Sequence, residues 1–586
     1  MNLPSRSTLS RASTITLVTF LALGSVIWAF SNILGPILVW LVPTWRPTFY
    51  DLGIYGPYAV TKYISTNIEA PALSIPFWND VCDDGRHILF TPKGSYVAQS
   101  GPTIMTPRGE LIWMSSEYRN AMNLNIQTYK GDRYLTFWTG DKAATSGQGV
   151  YLMLDSSYTL QHTIQPHGAT LHADLHEFQI TSADTALLTI YDQTTITDGS
   201  MTFLNRPVTT GYLTESAFQE INITTGDLLF EWRASEHFSL NDSYYWAPLD
   251  GLRPSRPLDW FHINSLKKDS DGNYLVSSRH LHMVCCVSGK NGKVLWTLGG
   301  KKNDFRDLSD GRATNFQWQH DARWVDEASG TLTIYDNGDA GPVQTHSGHS
   351  RGIMLQLDVK AKTVKLLHEY VSMAATSSAS QGSVQVLPDQ HGEVGKGDVF
   401  VGWGHSAMFS EFTNDGALLC EWHFGPSWLD FPDFVASYRA LKMEPWVGRP
   451  RTKPLAKVAR GSRNLYVSWN GATEVKTWSL QATRYYGGQS GRGDEGEYEE
   501  IDVMQKQGFE DIFVLPHDFA DYASIRVVAL DVEGQLLAFS DTVRETEAGN
   551  GWLFGGSLLF TVVLILGFVL GSWIFYVKVV RKEELR

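Results

Sequence analysis

The stretch HINSLKKDSDGNYLVSSRHLHMVCCVSGKNGKVLWTLGG, residues 262–300, decides the fold. Short runs of period-2 and β-branched residues are separated by DSDG and GKNG, glycine turns of the kind that close β-hairpins. Four short strands in about 40 residues, repeated along a chain, are the signature of propeller blades. Copies lie on both sides. HEFQITSADTALLTIYD begins at His176 and closes with FQEINITTGDLLFEW, and HDARWVDEASGTLTIYDNG begins at His320 and closes with IMLQLDVKAKTVKLLHEY. NLNIQTYKGDRYLTFWTGD from Asn123, the group SQGSVQVL, VFVGWG and SEFTNDGALLCEWHF ending near Trp422, and HILFTPKG with TIMTPRGELIWMS up to Ser115 supply three more. The expected fold is all-β, with a six-bladed propeller inside residues 46–450.

Circular closure brings the first and last blades together and removes exposed sheet edges. Cys82 and Cys420 then fall in neighbouring blades, so they are either buried thiols or, if bonded, bonded to each other; Cys285 and Cys286 complete a set too small for a disulfide scaffold. After Pro454, the runs LYVSWNGATEVKTWSLQAT, GFEDIFVLP and SIRVVALDVEGQLLAFS predict a fibronectin-like antiparallel sandwich over 451–545, interrupted by an acidic, glycine-rich loop at 487–500.

The ends have a different composition. Residues 12–45 carry no charge and follow Arg6 and Arg11, which predicts a cytosolic tail and an uncleaved signal anchor over 1–45. Residues 548–577 form a second uncharged run, followed by Lys578, Arg581 and Lys582 in a basic tail over 578–586. This run predicts a transmembrane helix with a cytosolic C-terminus. The body is then lumenal or extracellular, and the sequons at Asn222 and Asn241 are compatible with that side. With 48 basic against 62 acidic residues the net charge is −14, which excludes the electrostatic drive for a nucleic-acid partner.

The repeat register also carries the chemistry. His176 precedes Leu188 by 12 positions, His320 precedes Leu332 by 12, and His262 precedes Leu275 by 13. Three histidines thus share one address, at the start of an inner strand, where equivalent residues converge on the propeller axis. Arg279, at the end of the returning strand, comes back to the same face, and Asn264 follows His262 by two residues, on the same side by strand period. Asp321 and His405 are further candidates. His167 and His172 read as loop residues, and Trp260, Trp318 and Trp403 as candidate walls of an aromatic pocket. Neutral imidazole is a nucleophile near pH 7, and the forked guanidinium fits a tetrahedral oxyanion. No phosphate-cradling loop of the GxxxxGK[ST] type is present, so a nucleotide donor is not expected.

At these segments, namely LHADLHEFQIT, DWFHINSLKKDSDGNYLVSSRH, VLWTLGGKKNDF, FQWQHDARW and LYVSWNGATEV, the sequence resembles the arylsulfotransferase family, above all its fungal, membrane-anchored branch. The resemblance implies a six-bladed propeller that moves a sulfuryl group from an aryl sulfate to a phenolic acceptor through a sulfated histidine, without a cofactor. It implies His320 as nucleophile, His262, Asn264 and Arg279 as holders of the sulfate oxygens, and His176 as the proton-transfer residue. Two other readings stay open from the residues alone: a metalloenzyme built on the three imidazoles, against which Arg279 argues, and a non-catalytic propeller tethered to the membrane that binds a ligand or partner.

Overall fold

A computed structural model describes residues 46–543, apart from 143–145, 204–205, 246, 248, 339–347, 390, 428–433 and 485–496. The two apolar runs, the basic tail and most of the 487–500 loop lie outside the described residues. Among the described residues no helix is long and apolar enough to cross a membrane.

The chain is nearly all β and is organised as a series of antiparallel sheets. The stretch that opened the sequence analysis forms one of them: Ile263–Lys268, Tyr274–Ser278, Met283–Val287 and Val294–Gly299, in that order across the sheet. Its two central strands, YLVSS and MVCCV, are buried at every position, because each face is covered by a neighbouring sheet. The DSDG turn closes through Gly272, whose φ of 82° suits a residue without a Cβ.

Five further sheets of four or five strands have the same build. Their inner strands are Met122–Tyr129, Phe178–Ile180, His320–Asp326, Ser383–Val386 and Ala440–Met443. Each sheet shares an apolar core with the next. Phe178 and Leu188 meet Trp138 and Tyr151, Leu266 and Val276 meet Phe218 and Trp232, and Ala322 and Leu332 meet Leu275 and Val284. Val384 and Trp403 meet Tyr335, Ile88 and Phe90 meet Phe400 and Trp422, and Leu124 and Leu135 meet Leu89 and Ile104. The series therefore returns to its start.

The closure is made in a way that the repeat pattern does not reveal. Ala440–Met443, from the end of the series, pairs with His87–Phe90 and becomes the inner strand of the first sheet, while Ser74–Phe77 from the beginning pairs with Leu418–His423 on the outer edge of the last. A disulfide between Cys82 and Cys420 ties the same two sheets across a sequence separation of 338; Cys285 and Cys286 are free and buried. A cross-link over so long a loop acts mainly on the unfolded chain. Replacing Cys82 and Cys420 together by serine should lower unfolding stability by about 2–4 kcal/mol, read from denaturant midpoints.

Beyond residue 450, a three-stranded sheet (Leu455–Val458, Asn464–Ser468, Glu510–Val514) faces a four-stranded one (Glu499–Gln505, Thr477–Arg484, Tyr522–Leu530, Leu536–Phe539). They share one core around Trp478, Leu465, Val467, Phe513 and Val527. Asn470 bonds both backbone groups of Met114, and Tyr158 Oη donates to the Gly471 carbonyl 2.8 Å away, so the two parts touch through polar contacts.

Candidate active site

His176, His262 and His320 are all at most 5% exposed and stand at or just before the starts of three inner strands. The His176 and His262 rings meet edge to face with centroids 4.7 Å apart. Tyr438 links the cluster. Its ring is 5.6 Å from His176 and 6.1 Å from His320, and its buried Oη has no hydrogen-bond partner among the described residues.

Each imidazole is oriented through Nδ1. His176 Nδ1 bonds the Asp174 carboxylate, and His262 Nδ1 lies 2.6 Å from Asp259 Oδ2. His320 Nδ1 lies 2.7 Å from Asn337 Oδ1, and that amide is itself held because its Nδ2 donates to the Ser378 and Gln381 carbonyls. With His320 Nδ1–H donating to Asn337 Oδ1, the lone pair of the ring is on Nε2, where it accepts the Gln381 backbone N–H at 3.1 Å. Nε2 thus carries the only lone pair of this ring, and it is engaged by the Gln381 N–H.

Arg279 comes to the cluster through its own backbone, whose N–H donates to the His262 carbonyl at 2.9 Å. Its guanidinium lies over the Trp318 ring at 5.1 Å, donates to the Ala379 carbonyl at 3.0 Å and reaches His280 Nε2 at 2.9 Å. Guanidinium can only donate, so His280 Nε2 accepts, and its Nδ1–H points to the Asp259 carbonyl 2.5 Å away.

Burial pushes His262, His280 and His320 well below the ordinary imidazole value of 6.5, and the Arg279 charge adds to this in all three. They are neutral at pH 7, as a nucleophile or hydrogen-bond acceptor requires. For His262 this holds despite the Asp259 carboxylate, because burial, His176 and Arg279 all act in the other direction. His423 behaves oppositely. Burial alone would lower it, but hydrogen bonds to Asp51 and Glu421 outweigh burial and raise it to about 9.

The two groups give stability opposite slopes with pH. Below 6.5 the unfolded chain takes up protons that folded His262, His280 and His320 refuse, so stability falls as pH drops through the acid range. The His423 contribution is complete below 6.5 and is lost as pH rises from 6.5 to about 9. Unfolding midpoints across this range should pass through a maximum, and His423→Gln should flatten the alkaline limb and leave the acid limb in place.

The remaining sequence candidates divide. Asn264 is fully buried, donates to the Gln319 carbonyl at 2.6 Å and keeps an unpartnered Oδ1, but its placement does not follow from strand period. His262 has a φ of 57° and the pairing register shifts between Ile263 and Ser265, so the alternation is broken between His262 and Asn264. Asp321 turns away from the histidines to pair with Arg323 and Arg439. His405 lines a different pocket beside His423, and His167 and His172 are exposed. Trp318 does wall the site. Trp260 and Trp403 pack in cores, with Trp403 Nε1 bonded to Ser410 Oγ. Asn222 ends a strand, with Oδ1 accepting the Thr224 and Thr225 N–H groups, and Asn241 is exposed in a short turn.

Sequence reasoning did not pick out His280, Asn337, Gln381, Tyr438, Asp174 or Asp259. The carboxylates had a local signal, HADLH and DWFH, which places each acid two or three residues before its histidine. His280 directly follows Arg279. Tyr438 and Gln381 had none, because they come from other sheets. Among the described residues one group is spaced to hold a metal ion: Asp259, His262 and His280, within 4.8 Å of one another. It is not the three-histidine set, and the Arg279 donor already occupies His280 Nε2.

A family model described as Arylsulfotransferase (ASST) matches residues 125–425. That is 425 − 125 + 1 = 301 of 586 residues, and it contains His176, His262, Asn264, Arg279 and His320. The chain belongs to the arylsulfotransferase family. Membership supports a transferase in general, and the histidine cluster lies in the matched half of this family member, whereas Tyr438 lies beyond the match. No curated protein matches the chain in sequence. Among solved structures, a protein of unknown function from Bacteroides caccae is 12% identical, with 62% of this chain and 100% of that chain covered and a TM-score of 0.36. The periplasmic gluconolactonase of Pseudomonas aeruginosa is 10% identical, with 61% and 99% covered and a TM-score of 0.32. A catalytically inactive virginiamycin B lyase from Staphylococcus aureus with quinupristin is 9% identical, with 70% and 92% covered and a TM-score of 0.25. These scores are too low to carry fold or function across.

Proposed function

We propose that the protein is an arylsulfotransferase of the fungal, membrane-anchored branch, in which a closed six-bladed propeller carries a sulfuryl group on His320. A fibronectin-like sandwich completes the body, which stands on the lumenal or extracellular side between the two terminal apolar runs. The observation that carries the reading is the convergence of His176, His262 and His320 with the Arg279 guanidinium in the family-matched region. Support for the propeller comes from the cyclic series of shared cores and from a cavity lined by residues of all six inner strands.

In this reading His320 Nε2 attacks the sulfur of an aryl sulfate. The N–S bond forms, the S–O bond to the aryl group breaks, and the phenolate leaves with a proton from His176. Arg279 and the second Nδ2 hydrogen of Asn264 hold the sulfuryl oxygens, where the guanidinium offsets the negative charge, and His262 joins them as a donor only when its Nε2 takes up a proton. In the second half the acceptor phenol gives its proton back to His176 as its oxygen attacks sulfur, and the N–S bond breaks. Asp174 keeps His176 oriented for both directions. No cofactor is required. Arg279 disfavours the metal alternative, since a metal cation would sit beside a buried guanidinium.

The test is turnover of a chromogenic aryl sulfate by the purified chain without any nucleotide. Phenol release that rises with added phenolic acceptor, with the sulfate recovered on the acceptor, is the expected result. Release unaffected by acceptor would point to hydrolysis, and no release would leave the family fold without the proposed activity.

A further inference from the structure

Past the histidines, the same inner strands run on into a second polar chamber. Lys267 lies five residues beyond His262, about 16 Å along the strand. The chamber measures about 280 Å³, and one inner strand of each sheet reaches it, at Asn125, Gln179, Lys267, Arg323, Gln385 and Leu441.

Five charged side chains line it: Glu177, Asp321, Arg323, Arg439 and Lys267. Four of them satisfy one another. Glu177 pairs with Arg323 at 2.5 Å and Arg439 at 3.2 Å, and Asp321 pairs with the same two guanidiniums at 2.8 and 3.1 Å. Two carboxylates thus cancel two arginines, and Lys267 is left over. Its Nζ has one polar contact, the Trp324 carbonyl at 3.5 Å, and no carboxylate among the described residues is within ion-pair distance. A largely buried ammonium with no direct ion pair is costly: burial and the Arg323 charge hold Lys267 below the usual lysine range, and the more distant Glu327, Asp321 and Glu177 carboxylates offset only part of this. Asn125 and Gln179 add amide groups from neighbouring strands. Asn125 uses its Oδ1 on the Ile126 N–H, which leaves its Nδ2 as a donor. What Lys267 lacks, among the described residues, is an anion in direct contact with its ammonium.

We propose that this chamber is a binding site for a small oxyanion of the size of inorganic sulfate, anchored by Lys267. It is separate from the histidine cluster and does not depend on the sulfotransfer reading. The probe is sodium sulfate, added to the full chain at constant ionic strength against sodium chloride, with the thermal unfolding midpoint as readout. Wild type should show a saturable rise. Lys267→Met should weaken the apparent sulfate affinity at least about tenfold, while its midpoint in chloride is no lower, because the removed ammonium was desolvated and made no direct ion pair. Arg279→Met should keep the response.

An absent or non-saturating rise in wild type, or an unchanged one in Lys267→Met, overturns the proposal. Loss of the response in Arg279→Met does the same, because it puts the anion at the histidines. Should Lys267→Met fail to fold, Lys267→Gln and a selenate-soaked wild-type crystal decide: an anomalous peak within hydrogen-bond distance of Lys267 Nζ supports the site, and its absence there removes it.

Discussion

Replacing His320 by Gln should reduce sulfuryl transfer at least about 10³-fold in kcat, with folding intact. Glutamine is chosen because its Oε1 can still accept the Gln381 N–H, which tethers His320 Nε2 in the resting site. The change therefore removes the nucleophilic nitrogen and keeps a hydrogen-bond acceptor in place. The loss should appear in kcat with any acceptor, since in the proposed mechanism both half-reactions pass through the same N–S bond. A variant with near-normal turnover would mean that sulfur never bonds to this residue.

The second large effect belongs to Arg279. Arg279→Met should cost about 10²–10³ in kcat/KM, the range seen when one preorganised donor to developing charge is lost. Lys should rescue little. The guanidinium is held flat by three separate contacts, with the Trp318 face, the Ala379 carbonyl and His280 Nε2, and a lysine cannot present two donors in that plane. The variant should also raise the pKa of His320, because the Arg279 charge helps to keep that imidazole neutral. The acid limb of the kcat/KM profile should move to higher pH in Arg279→Met, a shift that simple unfolding would not produce.

The repeat made the histidine cluster legible because counting from strand starts needs only the turn residues. His176, His262 and His320 share an address, and the backbone pairing of Arg279 with His262 follows from one hairpin. What stayed hidden depends on contacts between sheets or on broken alternation. Asn337 and Gln381 orient His320 from a strand end and from the next sheet, and Tyr438 enters from a segment that the repeat pattern does not include. The closing exchange is of the same kind. Ala440–Met443 is too short to announce itself, and its place is fixed only by pairing with His87–Phe90. Strand period failed at Asn264 because a β-bulge and a left-handed His262 lie between the two residues.

The carboxylates beside His176 and His262 show a further limit. A sequence places Asp174 and Asp259 near their histidines, but only the folded geometry distinguishes an Nδ1 partner from a turn residue. Asp321, equally close to His320 in sequence, serves the charge ring of the other chamber instead.

The central claim is that His320 carries the sulfuryl group. Wild-type protein mixed with an aryl sulfate and no acceptor, quenched at alkaline pH to preserve the N–S bond and digested, should yield the peptide containing His320 heavier by one sulfuryl group, and addition of a phenol before the quench should discharge it. A label on His176, His262 or another residue, or product formation with no labelled peptide at any time, would contradict the account.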